Sequence, residues 1–170
     1  MIAGKLKNII HSKKIRRSML NGKLSREGNS GKIGLIIDDE KFESGQKLTE
    51  FYKFTGVSKS DFKVVFCGNS DKIPENLEAD VLTIKDISLL GDFKNESIRR
   101  FASEDFDFLI CYFSENNTAG YLLAAESLAN IKIGNSPDSY GIFDVEIHAK
   151  KIDVFQQEVL KYLKILKKNN

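Results

Sequence analysis

Proline, cysteine and histidine are scarce in this chain. Only two of its 170 residues are proline and twelve are glycine, a content that argues against a low-complexity or disordered chain. The two cysteines and two histidines stand at unrelated spacings, so no metal site and no cofactor are predicted. Cys67 and Cys111 each lie inside an apolar run, which is typical of buried thiols in a reducing compartment.

Membrane and export signals are also missing from the sequence. No stretch approaches the roughly 18 consecutive apolar residues that a transmembrane helix needs. The first residues, MIAGKLKNIIHSKK, contain no apolar core followed by a small-residue cleavage site, as a secretory signal would. We therefore expect a cytoplasmic protein with no transmembrane segment.

The net charge of +2 conceals a strong asymmetry along the chain. Residues 1–32 hold nine lysines or arginines against one acid, Glu27, for a net charge of +8, and the other 138 residues hold 17 bases and 23 acids, for −6. Segregation of this kind indicates a basic segment that meets an acidic surface. We divide the chain into a basic N-terminal arm over 1–31, with a helix near 3–19 and a linker over 25–31, and a single domain over 32–170.

Hydrophobic patterning within that domain predicts alternating strands and helices. Short, continuously apolar runs are typical of strands buried on both faces, and they cover 32–38, 61–68, 79–85, 106–113 and 131–136. Residues 141–149 are either a sixth strand or an irregular crossing. Helical spacing covers 42–56, 94–103, 116–129 and 151–167. The prediction is an α/β fold, a doubly wound, mainly parallel open sheet of five to six strands, Rossmann-like or flavodoxin-like, with strand order 3-2-1-4-5.

Polar residues follow several of the predicted strands. Ligands of open α/β sheets bind outside the carboxyl ends of the strands, near the point where strand order reverses. The residues expected there are Asp38, Asp39, Gly68, Asn69, Ser70, Ser114, Glu115, Asn116, Asn117, Thr118, Asn135 and Ser136. This rim suits a metal ion or a hydroxyl-rich ligand. The alternative is that these residue types stand there only because turns favour them.

The usual nucleotide-binding and catalytic patterns are not found. GNSGKIG over 28–34 suggests a phosphate loop, but Arg26 and Ile33 occupy positions that need glycine and serine or threonine, and its glycines precede a strand. His11 and His148 have no nucleophile at a diagnostic spacing. Asp38 and Asp39 lack a third metal ligand in the sequence. An enzyme is therefore not the favoured interpretation, and no catalytic residue is assigned.

The basic arm is the most informative feature for function. Its candidate partner-binding residues are Lys5, Lys7, Lys13, Lys14, Arg16, Arg17, Lys23 and Arg26. They suit the phosphates of RNA or a ribosomal particle. The same charges, with Leu6, Ile9, Ile10 and Leu20 on one helix face, suit an anionic membrane surface. An acidic protein is a third possible partner, and the helix packing on its own acidic domain is a fourth interpretation.

Several segments together resemble a known family. The basic N-terminal helix, KIGLIID, FDFLICYF followed by LLAAESLANIKIG, and EVLKYLKIL resemble an uncharacterised family of short proteins of Bacteroidota-type bacteria, classed as a domain of unknown function. That resemblance spans nearly the whole chain and implies no activity. A local stretch, FDFLICYF…GYLLAAESLANIKIG, is also similar to the N-terminal half of heptosyltransferase-type glycosyltransferases, which need a second domain that this chain lacks.

The sequence thus favours a non-enzymatic binding or adaptor protein that docks through its basic arm on an acidic partner, RNA or a ribosomal particle above all. The alternative is a small enzyme or ligand-binding domain that uses the polar rim at the strand ends.

Overall fold

A single parallel sheet organises the molecule. The computed structural model describes residues 2–21, 29–135 and 137–168. Within them the strands are β1 (Ile33–Asp38), β2 (Phe62–Cys67), β3 (Asp80–Leu82), β4 (Phe108–Tyr112), β5 (Ile131–Asn135) and β6 (Val145–Ile147). Their order across the sheet is β3-β2-β1-β4-β5-β6, and all neighbours are parallel. The predicted order is confirmed, and β6 extends it as a sixth parallel strand.

The central strands β1 and β4 are rich in apolar residues, which suits their buried position. All six residues of β1 are buried, and so are all five of β4, because helices cover both faces of the sheet. β1 and β4 are neighbours although β2 and β3 lie between them in sequence. The strand order therefore reverses between β1 and β4. At such a point the connections that follow the two strands lead to opposite faces of the sheet and leave a crevice outside the carboxyl ends of the strands.

The helices lie in two layers. They are α1 (Ile2–Leu20), α2 (Phe42–Gly45), α3 (Tyr52–Thr55), α4 (Glu96–Ser103), α5 (Thr118–Glu126) and α6 (Ile152–Lys168). One apolar core joins α4, α5 and Ile15 of α1 to one sheet face, and the other joins the α2–α3 segment and α6 to the opposite face. No helix of the described residues is both long enough and apolar enough to cross a membrane.

The predicted continuous helix over 42–56 is interrupted. A 3-10 turn over Gln46–Glu50 separates α2 from α3. Glycine has low helix propensity, and Gly45 packs so closely on Tyr112 that a Cβ atom there would lie 2.7 Å from its ring. Gly56, at φ +74°, ends α3 in the left-handed conformation that glycine favours. Close packing on the sheet thus takes precedence over helix continuity here.

Helix α1 packs on the domain. His11 and Ile15 are fully buried against the rest of the chain, α1 contacts α5, and the Ser18 hydroxyl donates to the carboxylate of Glu126. The Lys7 ammonium donates to the Ile84 carbonyl at 2.7 Å, and Lys14 donates to the Gly91 carbonyl at 2.9 Å. The helix over 3–19 is therefore present, with one more residue at each end. The predicted linker over 25–31 lies mostly outside the described residues.

Candidate functional site: the crevice at the carboxyl ends of the strands

Most of the predicted rim converges on one crevice. The crevice has a volume of about 630 Å³ and opens between the carboxyl ends of β1, β2, β3 and β4 and the start of α5. It is lined by Asn8, Asp38, Asp39, Glu40, Cys67, Gly68, Asn69, Leu82, Thr83, Ile84, Lys85, Ser114, Asn116, Asn117, Thr118 and Ala119. Eight of the twelve predicted rim residues are among these lining residues.

Asp38 forms the floor of the crevice. Its carboxylate is fully buried and accepts hydrogen bonds from the Ser114 amide at 2.8 Å and the Ser114 hydroxyl at 2.6 Å. The Lys41 amide donates to the other oxygen at 2.9 Å. Hydrogen bonds to an ionised group offset the cost of burying it. Asp38 thus joins the end of β1 to the segment after β4.

Asn117 joins the same carboxylate to a helix. Its side-chain nitrogen donates to Asp38 at 3.2 Å and to the Cys67 carbonyl at 3.3 Å, while its side-chain oxygen accepts from the Gly120 amide at 2.8 Å. Asparagine is a preferred N-cap, so the residue satisfies the first turn of α5 and fixes where the helix begins. Three strand ends and one helix start are therefore held together by two polar side chains.

The β2 side of the crevice requires a glycine. Gly68 adopts φ +149°, and a Cβ atom there would lie 2.7 Å from the carboxyl of Asp39. Asp39 is only partly exposed, and the Lys72 ammonium lies 3.8 Å from its carboxylate. This wall therefore presents a partly exposed carboxylate that pairs with one cation at a long distance.

The opposite wall was missed by sequence reasoning. It consists of Leu82 and the turn Thr83–Lys85, with Asn8 contributed by α1. Thr83 and Asp86 form a capping box in which the Thr83 hydroxyl and amide donate to Asp86 at 2.7 and 2.8 Å. The pattern Thr-x-x-Asp directly after a short strand is a sequence signal for such an ordered turn. Asn8 carries no comparable signal, because its place depends on how α1 docks.

Some predicted rim residues lie elsewhere. Asn135 exchanges hydrogen bonds with the backbone of Phe113, through Phe113 N–H at 3.1 Å and its carbonyl at 2.9 Å, so it ties β5 to β4. Glu115 is exposed and does not line the crevice. Ser70 begins a 3-10 turn directly after the lining residue Asn69. Ser136 lies outside the described residues.

The packing of α1 on the domain engages some basic residues of the arm and leaves others exposed. Lys7 and Lys14 contact the loop after β3, and Lys14 also pairs with Asp92 at 2.9 Å. Arg16 stacks over Tyr140, 5.6 Å from the ring centroid. Lys5, Lys13, Arg16 and Arg17 are exposed, and Lys23 and Arg26 lie outside the described residues. Docking on RNA or a ribosomal particle stays a prediction.

The histidines and acids do not form a metal or catalytic cluster within the part of the chain that the structure describes. No group of three or more potential metal ligands is found there. His148 is exposed, 3.3 Å from Glu146. His11 is buried where α1 contacts the loop after β3, and one of its ring nitrogens lies 2.8 Å from the Ser88 carbonyl oxygen.

The fold and the crevice define a class: an open, all-parallel α/β domain with a polar crevice at the point where strand order reverses. The chain belongs to a family of unknown function, DUF6913, whose model matches residues 7–166. It has no significant match among the curated proteins or the solved structures. The predicted membership of an uncharacterised family is thus confirmed, whereas the Bacteroidota-type source and the local likeness to heptosyltransferase-type enzymes stay predictions.

Proposed function

We propose that this protein binds a small hydroxyl-rich metabolite in the crevice. The observation that carries the proposal is the fully buried carboxylate of Asp38, which fixes Ser114 and Asn117 at the point where strand order reverses. A rigid floor beside a concavity of about 630 Å³ has the dimensions of a site for a small ligand.

The lining favours hydroxyl groups as the ligand's recognised feature. Neutral amide and hydroxyl side chains, which both donate and accept hydrogen bonds, come from Asn8, Asn69, Thr83, Asn116 and Thr118. The carboxylates of Asp39 and Glu40 accept from hydroxyls and repel phosphate. Leu82, Ile84 and Ala119 supply an apolar wall for carbon atoms. Monosaccharides and nucleosides have this combination of hydroxyl edges and apolar faces.

Binding without turnover suits the residues present. Cys67 lines the crevice, but burial raises the pKa of its thiol well above the usual value, so it stays protonated and weakly nucleophilic. No histidine lines the crevice among the described residues. We place the protein in the cytoplasm, a compartment that suits the two buried cysteines.

A second cleft, of about 520 Å³, lies on the other side of the sheet between α2 and the β2–β3 connection. Four of its five charged rim residues already have partners, since Lys59 lies 3.4 Å from Glu78, Lys47 lies 3.1 Å from Asp153 and Glu50 lies 2.8 Å from Lys53. The cleft also lies away from the carboxyl ends of the strands, and we favour the crevice over it for that reason.

RNA or a ribosomal particle is the alternative partner, through the exposed cations of α1. The geometry supports it less, because contacts with the domain engage Lys7, Lys14 and Arg16. Fewer cations then remain to neutralise phosphates.

A thermal-stability screen tests the crevice proposal. Wild-type protein is heated with a panel of monosaccharides, nucleosides and polyols, and at least one compound is expected to raise the unfolding midpoint by mass action. Asp39→Ala and Asn116→Ala should each abolish that rise. Asn76→Ala, in the second cleft, is the matched control and should keep it. A panel without any rise, or a rise that Asn76→Ala alone removes, contradicts the proposal.

A further inference from the structure

Helix α1 turns three aliphatic side chains to solvent on one face. Leu6, Ile9 and Leu20 are 50%, 54% and 86% exposed. Together with Lys13 and Arg17 they form the series 6, 9, 13, 17 and 20. Its steps of three or four residues place all five side chains on one face of the helix. Over this series the face is about 21 Å long, at 1.5 Å per residue.

This face is not the one that holds α1 on the domain. The buried residues His11 and Ile15 lie on the opposite side of the helix, where Lys7, Lys14 and Ser18 make their contacts. The three aliphatic residues therefore lie away from the contacts that hold α1 on the domain, and half or more of each side chain is open to solvent in the described chain.

The charge of the same face has one sign. Residues 2–20 contain no aspartate or glutamate. Lys5, Lys13 and Arg17 are exposed, and none of them forms an ion pair with another described residue. The outer face is thus a row of aliphatic side chains bordered by cations that no described carboxylate neutralises.

We propose that the outer face of α1 docks on an anionic phospholipid surface. Cations next to aliphatic residues on a helix that lies parallel to the surface match a negatively charged headgroup layer above acyl chains. RNA fits this face less well, because its phosphates would leave Leu6, Ile9 and Leu20 against polar groups and the face has no aromatic residue for base stacking. The inner side of α1 stays packed on the domain, so docking is peripheral: the helix lies on the membrane surface and does not cross it.

Vesicle co-sedimentation of the full chain tests this. Vesicles of phosphatidylcholine alone are compared with vesicles that also contain phosphatidylserine, and binding is expected only to the latter. Leu6→Ser/Ile9→Ser/Leu20→Ser should weaken it by at least about tenfold. Lys13→Glu/Arg17→Glu should weaken it by about fivefold per charge or more, and high salt should do the same.

Matched controls come from α6, on the opposite side of the sheet. Val154 and Ile165 are also exposed aliphatic residues, and Lys150 and Lys164 are exposed cations on or beside that helix. Val154→Ser/Ile165→Ser and Lys150→Glu/Lys164→Glu should bind vesicles as the wild type does. Thermal unfolding of each variant shows that the fold is retained.

Three results overturn the proposal. One is the absence of binding to the phosphatidylserine vesicles, and another is unchanged binding by the triple Leu/Ile→Ser variant. The third is salt-dependent binding of transfer RNA without vesicle binding, kept by the triple variant and lost in Lys13→Glu/Arg17→Glu, which would assign the face to RNA.

Discussion

The buried carboxylate of Asp38 accepts a 2.6 Å hydrogen bond from the hydroxyl of Ser114. The two residues are 76 positions apart in sequence and stand at the ends of neighbouring strands, where the strand order of the sheet reverses. Because the Ser114 amide and the Asn117 side chain donate to the same oxygen, Asp38 acts as a structural residue of the crevice. The side chains left to meet a ligand are those around it.

Replacing Asp38 tests this structural role. Asp38→Ala leaves the buried donors of Ser114 and the partly buried donors of Asn117 and Lys41 without their acceptor, and we expect it to lower the free energy of unfolding by at least about 3 kcal/mol. Asp39→Ala removes only a partly exposed carboxylate near Lys72 and should change it by less than about 1 kcal/mol. Urea unfolding measures both. Equal midpoints for the two variants would show that the floor is not held by Asp38.

Sequence patterns located the strands and most of the rim, for a physical reason. Continuous apolar runs such as Phe108–Tyr112 have few alternatives to a doubly buried strand, and the carboxyl ends of parallel strands share one edge of the sheet. The roles within the rim were not predictable in this way. Whether Asp38 meets a ligand or supports its neighbours depends on side-chain geometry, which periodicity does not encode.

The orientation of α1 was likewise not predictable from its sequence pattern. The spacing of Leu6, Ile9 and Leu20 places them on one helix face without indicating whether that face is buried, and the structure turns them to solvent and buries His11 and Ile15. A helix of mixed pattern is oriented by the specific contacts that it finds, here the carbonyls of Ile84 and Gly91. Those contacts join residues 77 positions apart, so no local pattern indicates them.

Substitutions on the two sides of α1 should therefore differ. Ile15→Ala removes a fully buried side chain and is expected to cost about 2–4 kcal/mol of stability. Ile9→Ala, on the exposed side, should change stability by less than about 0.5 kcal/mol. Chemical denaturation of both variants gives the comparison. If Ile15→Ala unfolds like the wild type, α1 does not pack on the domain as described.

Acid should loosen the turn that forms one wall of the crevice. Hydrogen bonds from the Thr83 hydroxyl and amide lower the pKa of Asp86 in the folded protein below its ordinary value. The unfolded chain therefore takes up the proton first, so this contribution is complete above about pH 5 and is lost as the pH falls through the lowered pKa.

The unfolding free energy of the wild type, measured at about pH 5 and about pH 3, should accordingly fall more than that of Asp86→Asn. Thr83→Ala, which removes the hydroxyl donor and keeps the carboxylate, should show a smaller fall than the wild type. Identical pH dependence in all three proteins would mean that the capping box is not formed in solution.

The thiol in the crevice should be inert in the native protein. Burial is the main cause that raises the pKa of Cys67, with the nearby Asp38 carboxylate second, and the thiolate is the reactive form. In Cys111→Ser, we expect an aromatic disulfide reagent to modify Cys67 slowly in buffer and fast in concentrated urea. Rapid labelling under native conditions would contradict its burial.

Amide chemical shifts test ligand binding in the crevice residue by residue. Isotope-labelled wild-type protein is titrated with the compound of the monosaccharide, nucleoside and polyol panel that gives the largest thermal shift. Saturable changes are expected to cluster at Gly68, Asn69, Thr83 and residues 114–118. Changes that cluster around the second cleft near Asn76, or no saturable change for any compound of the panel, would contradict it.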